Sequence, residues 1–64
     1  MNNLNKVRKR LRMTQAQISV LTGIHPSTIS RIENGVIRCG ASHRRRIARA
    51  LEVEEREVFP KPSK

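Results

Sequence analysis

The side chains best suited to chemistry in this 64-residue chain lie in the segment 26–33. Ile29 and Ile32 are three residues apart, which is the spacing of neighbours on one face of a helix. If both isoleucines face inward, Ser27, Ser30 and Arg31 face outward. Hydroxyl groups donate and accept hydrogen bonds, and a guanidinium group presents a planar fork of donors. The predicted chemistry is therefore hydrogen bonding to a polar partner.

The sequence contains no group of residues that is suited to catalysis or to metal binding. The chain has five acidic residues, all Glu, and four of them lie in residues 52–64. His25 and His43 have no evident carboxylate or nucleophile partner. The spacing of these histidines and Cys39 matches no common zinc pattern, and a single cysteine forms no intrachain disulfide. We predict no enzyme activity, no metal, no cofactor and no small-molecule ligand.

The residues around this segment mark two successive helices. Thr14 followed by Gln17 is typical of a capping box, in which each side chain bonds a free backbone amide. Gly23 is expected to end the first helix because glycine enters the left-handed conformation readily. Pro26 suits the first position of the second helix, which Asn34 and Gly35 should end. These signals predict a helix–turn–helix over residues 14–35.

Three further helices are predicted from apolar spacing. The first runs from a cap at Asn2 or Asn3 to about Arg12. The fourth covers about 43–51 with a cap at Ser42, and the last covers about 54–59. The predicted inward residues are, in the first helix, Leu4, Val7 and Leu11; in the second, Ile18 and Leu21; in the fourth, Ile47, Ala48 and Leu51; and in the last, Val58 and Phe59. We expect an all-α domain over residues 1–59, followed by a short flexible tail at 60–64.

Arg8 interrupts the apolar stripe of the first helix, so its charge needs a partner or a route to solvent. Glu33 is the only acidic residue in the first 51 residues. We predict that Arg8 and Glu33 form an ion pair that joins the first helix to the third.

The basic charge is concentrated in one part of the chain. The formal net charge is +9; residues 1–51 carry +10 and residues 52–64 carry −1. Such a field attracts polyanions. Phe59 is the only aromatic residue, which argues against base-stacking modules for single strands. The chain has no apolar stretch typical of a signal peptide or membrane span, and no helix suited to membrane docking, so we expect a cytoplasmic protein.

The segments TQAQISVLTGIHPSTISRIENG (14–35) and IARALEV (47–53) resemble the phage-repressor/Cro-like, or Xre-like, helix-turn-helix family. The resemblance implies a compact five-helix lambda-repressor-like DNA-binding domain in which helices 2 and 3 form the helix-turn-helix. It also implies an Arg–Glu pair between helices 1 and 3, which matches Arg8 and Glu33. The chain departs from the family pattern at His43 and Arg44, where a bulky apolar residue is usual, and at Glu52, where Gly is frequent.

The family geometry places helix 3 in the major groove of DNA. Arg31 fits guanine O6 and N7, or alternatively a phosphate. His25 contacts phosphate or a base, or only caps the helix, and Thr28 bonds a phosphate or its own backbone. The resemblance implies phosphate contacts at Gln15 and Asn34. The expected base-reading residues are Pro26, Ser27, Ser30 and Arg31, and the expected phosphate contacts are Gln15, His25, Thr28, Asn34, Arg38, Arg44 and Arg45.

These observations favour a sequence-specific regulator that binds double-stranded DNA, acts as a transcriptional repressor and associates with the nucleoid when bound. We expect a homodimer on a palindromic operator with half-sites ~34 Å apart. The alternative is a protein-interaction module of the same fold, such as an antitoxin-type protein that neutralises a partner.

Overall fold

The computed structural model describes residues 2–60, in which the chain forms five helices and no strand. The helices are α1 (Leu4–Arg10), α2 (Gln15–Thr22), α3 (Pro26–Glu33), α4 (Ala41–Leu51) and α5 (Glu55–Val58). The all-α, five-helix prediction is confirmed. Residues 61–64, which belong to the predicted tail, lie outside the described residues.

Every helix contributes to a single hydrophobic core. α2 packs against both α3 and α4, and α5 packs against α4 and α1. Full burial of an aliphatic side chain stabilises the fold by about 1.5–3 kcal/mol, and helices this short depend on such packing because they are marginal by themselves. The largest fully buried side chains are Leu4, Ile18, Ile29, Ile32, Ile47 and Val58.

Two predicted core residues are on the surface instead. Leu11 is 41% exposed because α1 ends before it, and Leu21 is 59% exposed. The inward position of α2 is Thr22, one turn after Ile18. Its Oγ1 donates to the Ile18 carbonyl at 2.7 Å, so the buried hydroxyl is satisfied. The apolar spacing therefore identified the wrong neighbour of Ile18.

Each of the first four helices is followed within two residues by a residue in the left-handed conformation: Arg12 (φ 59°), Gly23 (φ 76°), Gly35 (φ 71°) and Glu52 (φ 57°). At Arg12 and Glu52 the following amide bonds back to a carbonyl five residues earlier, which is the Schellman arrangement. An added Cβ at Gly23 or Gly35 would meet no atom within 4 Å, so these glycines serve backbone conformation rather than space. The turn at Arg12 is why α1 stops at Arg10.

The helix starts confirm some predicted caps and correct others. The capping box of α2 is present, with Gln17 N–H donating to Thr14 Oγ1 at 3.0 Å. In α1, the side chain of Asn2 accepts from Leu4 N–H at 3.0 Å. α4 starts at Ala41 with Gly40 at its N-cap, so the predicted cap at Ser42 is wrong.

The two departures from the family pattern have structural explanations. α4 begins at Ala41, before His43 and Arg44, and both of these residues are half-buried in the helix. Glu52 occupies the left-handed position after α4, which explains why glycine is suited to it. α5 is shorter than predicted and begins after Glu54.

The predicted Arg8–Glu33 pair is confirmed and is the centre of a larger network. Arg8 Nε donates to Glu33 Oε2 at 2.5 Å, and the two side chains are only 13% and 4% exposed. Arg8 Nη1 also donates to the Met13 carbonyl at 2.8 Å. Asn5 and Gln15 donate to Glu33 Oε1 at 3.2 and 3.0 Å. One carboxylate thus joins α1, the start of α2 and the end of α3.

The network also sets the protonation of Glu33. Burial by itself raises the pKa of this carboxyl group, but the hydrogen bonds from Arg8, Gln15 and Asn5 outweigh burial and lower the pKa below its ordinary value. A lowered folded-state pKa stabilises the fold above the unfolded-state pKa of about 4.3. That stabilisation is lost as the pH falls through the folded-state pKa.

We predict that Glu33→Gln lowers the free energy of unfolding at pH 7 by about 3 kcal/mol, because it leaves the guanidinium of Arg8 buried without a counter-charge. Urea titration followed by circular dichroism measures the change. The matched control is Glu57→Gln, which removes an exposed carboxylate paired with Arg10 at 3.4 Å and should change stability by less than about 0.5 kcal/mol. The difference between wild type and Glu33→Gln should shrink below about pH 4. Equal effects of the two substitutions would contradict this account.

We predict that Glu52→Gly raises the free energy of unfolding by about 0.5–1 kcal/mol, because glycine adopts the left-handed conformation without the penalty of a Cβ. The comparison variant is Glu52→Ala, which removes the same carboxylate but keeps the Cβ. Thermal unfolding of the two variants separates the effect of the backbone conformation on stability from the effect of the charge. A Glu52→Ala protein as stable as Glu52→Gly would show that the charge, and not the backbone, is responsible.

Candidate nucleic-acid interface

One flank of α3 is open to solvent while the other forms part of the core. Ile29 and Ile32 are fully buried, as predicted, and Ser27 and Arg31 are exposed. Ser30 is half-buried between them. A helix of eight residues is about 12 Å long, so this flank is a short, straight row of polar side chains.

The start of α3 is held by His25. Its Nδ1 accepts the Ser27 backbone N–H at 3.1 Å and lies 2.8 Å from Ser27 Oγ. Pro26 occupies the first helical position, as predicted. Because Nδ1 acts as an acceptor, a neutral ring carries its proton on Nε2. Among the roles expected for His25, the structure shows the helix cap.

The start of α2 is fixed against the end of α3 by the Glu33 network. Gln15 is half-buried, and its Nε2 donates to Glu33 Oε1 at 3.0 Å. The amide group of Gln15 has a second N–H available for another acceptor. The first amides of a helix also lack intrahelical partners, and they favour an anion. The Glu33 carboxylate therefore fixes the start of α2 relative to the end of α3.

The remaining predicted phosphate contacts differ in accessibility. Asn34, Arg38 and Arg45 are exposed, and Thr28 is half-buried. Asn34 Nδ2 lies 3.4 Å from Ser30 Oγ, a weak bond. Arg44 is half-buried; its Nη1 donates to the Cys39 carbonyl at 3.2 Å, and its Nε lies 3.7 Å from Glu55 Oε1. Arg44 is thus more strongly engaged within the protein than Arg45.

The acidic residues near the carboxyl terminus neutralise charge away from α3. Glu57, Glu55 and Glu54 pair with Arg10, Arg44 and Arg56, respectively. Several exposed guanidinium groups on α3, in the loop that follows it and on α4 make no ion pair within residues 2–60. Their positive charge is therefore uncompensated by the described part of the protein. These residues are Arg31, Arg38, Arg45, Arg46 and Arg49.

The loop between α3 and α4 exposes apolar residues that the sequence did not identify as a surface. Val36 and Ile37 are exposed, whereas Cys39 is buried in the core cluster. A groove of about 580 Å³ runs between this loop and α5, and half-buried Phe59 lines it. Burial raises the pKa of the Cys39 thiol, although nearby Arg44 lowers it in part. Cys39 is thus best interpreted as a structural thiol.

The described part of the chain shows no membrane-spanning helix and no metal-ligand cluster. None of the helices within residues 2–60 is both long and apolar enough to cross a bilayer. No three His, Cys or Glu side chains of that range lie close enough to share a metal ion.

Comparison with known proteins agrees with this geometry. No curated protein and no solved structure matches the chain significantly. The family model for the helix-turn-helix domain, HTH_3, matches residues 4–58, a range that includes all five helices. The chain therefore belongs to the Xre/Cro/lambda-repressor-like helix-turn-helix family of DNA-binding regulators, with α2 and α3 forming the helix-turn-helix.

Proposed function

We propose that this protein is a sequence-specific repressor that binds double-stranded DNA with the exposed flank of α3 in the major groove. The observation that carries the proposal is the division of α3, with Ile29 and Ile32 buried and Ser27 and Arg31 open on the other side. The major groove is wide enough to admit a helix, and base edges there present a distinct pattern for every base pair. Repression follows if the occupied site overlaps a promoter.

Four residues read the bases in this proposal. Arg31 places two donors against guanine O6 and N7, which is worth ~1–3 kcal/mol of discrimination. The hydroxyl groups of Ser27 and Ser30 donate or accept and so discriminate less. Pro26, exposed at the first turn, contacts the methyl group of thymine.

Phosphate contacts on both sides of α3 hold the helix in register. Gln15, which Glu33 already orients, offers its second amide proton at the start of α2. Asn34 and Arg38 contact phosphates just beyond the end of α3. On α4, Arg45 is the stronger candidate for a phosphate contact, because Arg44 already contacts Cys39 and Glu55. His25 and Thr28 are the weaker contacts, because His25 already bonds Ser27 and Thr28 is half-buried.

We propose a homodimer on a palindromic operator, since one eight-residue helix reads few base pairs. Leu51 and Val58 are consumed by the core, so they supply no dimer contact. Val36 and Ile37, exposed beside half-buried Phe59, are the proposed surface for a second copy of the chain.

Selection of bound sites from a random duplex library tests the proposal. We expect a palindromic consensus with half-site centres about 10–10.5 base pairs apart, or a multiple of that distance. Failure to enrich any sequence at moderate salt would refute sequence-specific binding. Enrichment of an unpaired half-site would refute the homodimer while leaving the DNA-reading flank in place.

We predict that Arg31→Ala relaxes the selected consensus at one position in each half-site and weakens binding to the operator by ~1–3 kcal/mol per contact. Fluorescence anisotropy with the operator and single-base variants measures both effects. Arg56→Ala is the matched control, because it removes an exposed guanidinium from α5 that pairs with Glu54. Uniform weakening across all sequences would reassign Arg31 to a phosphate.

We predict that Asn34→Ala and Arg38→Ala both weaken binding without altering the consensus, but differ in salt dependence. If each subunit neutralises four phosphates, log K falls with log salt at a slope of about −3.6 per subunit. Arg38→Ala should reduce the magnitude of that slope by about 0.9 per subunit, because one cation is lost. Asn34→Ala should leave the slope unchanged, since the side chain is neutral. Titrations over a range of salt concentrations measure the slopes, and equal slopes for Arg38→Ala and wild type would exclude Arg38 as a phosphate contact.

A further inference from the structure

The outer face of α2 carries two consecutive aliphatic side chains that the core does not use. Val20 is 84% exposed and Leu21 is 59% exposed. The inward positions of this helix are taken by Ile18 and Thr22, and Thr22 is fully hydrogen-bonded there. An exposed leucine beside a buried threonine is the reverse of the usual distribution of these two residue types.

Leu21 forms one wall of a trough between α2 and α4. The trough has a volume of about 460 Å³, and half-buried Ala50 lies on the opposite helix. We call this surface the α2–α4 trough; its lining residues are Leu21, Thr22, Arg46, Arg49, Ala50 and Glu52. Val20 adjoins it on α2.

The α2–α4 trough is positively charged, and its arginine side chains are exposed to solvent. Arg46 and Arg49 are three residues apart on α4, both exposed, and neither makes an ion pair within residues 2–60. Glu52 is the one acid in the lining, so the trough holds two guanidinium groups against one carboxylate. An occupant with matching chemistry has an aliphatic centre and carboxylates beside it.

The trough is separate from the proposed DNA-reading flank. Gln15 begins α2, and Leu21 follows six residues later, about 9 Å further along the helix axis. No residue of α3 lines the trough. A regulator bound to DNA would therefore still present this surface.

We propose that the α2–α4 trough binds an acidic amphipathic segment of another protein. An aliphatic side chain of that segment packs between Leu21 and Ala50, and its carboxylates pair with Arg46 and Arg49. A phosphate backbone offers no apolar group to cover Val20 and Leu21. A second copy of this chain is a poorer occupant, because its carboxylates at residues 54, 55 and 57 already pair with its own Arg56, Arg44 and Arg10.

A displayed library of random peptides tests the proposal. The full chain is immobilised in the presence of excess duplex DNA of scrambled sequence, which occupies the DNA-reading flank. We expect enrichment of peptides that combine Leu, Ile, Met or Phe with Asp and Glu. The most enriched peptide is then synthesised with a fluorescent label and titrated by anisotropy.

Matched variants locate the binding site of that peptide. Leu21→Ser should weaken peptide binding by about tenfold or more, as should the double substitution Arg46→Ala with Arg49→Ala. Leu11→Ser and Arg56→Ala remove an exposed leucine and an exposed arginine outside the trough, and they should change the affinity less than about twofold. Affinity of Leu21→Ser for duplex DNA should equal that of wild type.

Several results would overturn the proposal. These are no enrichment, enrichment of basic peptides, or an affinity that Leu21→Ser leaves unchanged. Loss of DNA affinity in Leu21→Ser would assign the trough to DNA. If the wild type sediments as a dimer and Leu21→Ser as a monomer, the trough would be assigned to a second copy. The peptide results have no bearing on the site selection that tests sequence-specific DNA binding, so failure of this proposal can be distinguished from failure of the proposed function.

Discussion

The arrangement of the first three helices depends on one buried carboxylate. Glu33 accepts hydrogen bonds from Arg8 and Asn5 on α1 and from Gln15 at the start of α2. Short helices are marginal by themselves and take their stability from packing. The carboxylate adds what apolar contacts do not provide, which is a defined position of α2 relative to the end of α3. The row of polar groups on α3 and the amide group of Gln15 are aligned through this single residue.

Paired and unpaired charges lie in different parts of the molecule. The one acid of the basic region is 4% exposed and surrounded by donors, so it holds the helices together without weakening the positive surface. Three of the four acids of the carboxyl-terminal part, Glu54, Glu55 and Glu57, pair with arginines of α5, α4 and α1. Arg31 and Arg38 are left without a counter-charge in the described residues, on the side where a polyanion is expected.

The fold could be predicted from the sequence wherever a residue type strongly prefers one local conformation or position. The capping box at Thr14, the glycines after α2 and α3, and the pair of isoleucines in α3 are all in the predicted places. The ends of α1 and α4 depend on Arg12 and Glu52, which adopt a left-handed conformation that their side chains disfavour. No local signal marks Arg12 as a helix end, and Glu52 was flagged only by comparison with a family pattern. The prediction that Leu21 faces inward was wrong, because residues three and four positions after Ile18 both fit the same helix face. Only the tertiary packing selects Thr22 as the buried residue.

The inverted order of Leu21 and Thr22 has a consequence for how this domain tolerates change. The buried Thr22 hydroxyl group donates to the Ile18 carbonyl and accepts from the Ile24 amide, so this position requires a side chain that can do both. A variant with these two residues exchanged would place a larger leucine in a close-packed core and leave the Ile24 amide without its acceptor. The exchange would therefore lower stability, and it would also remove the aliphatic wall between α2 and α4. Laboratory selection for heat resistance is therefore expected to retain threonine at position 22.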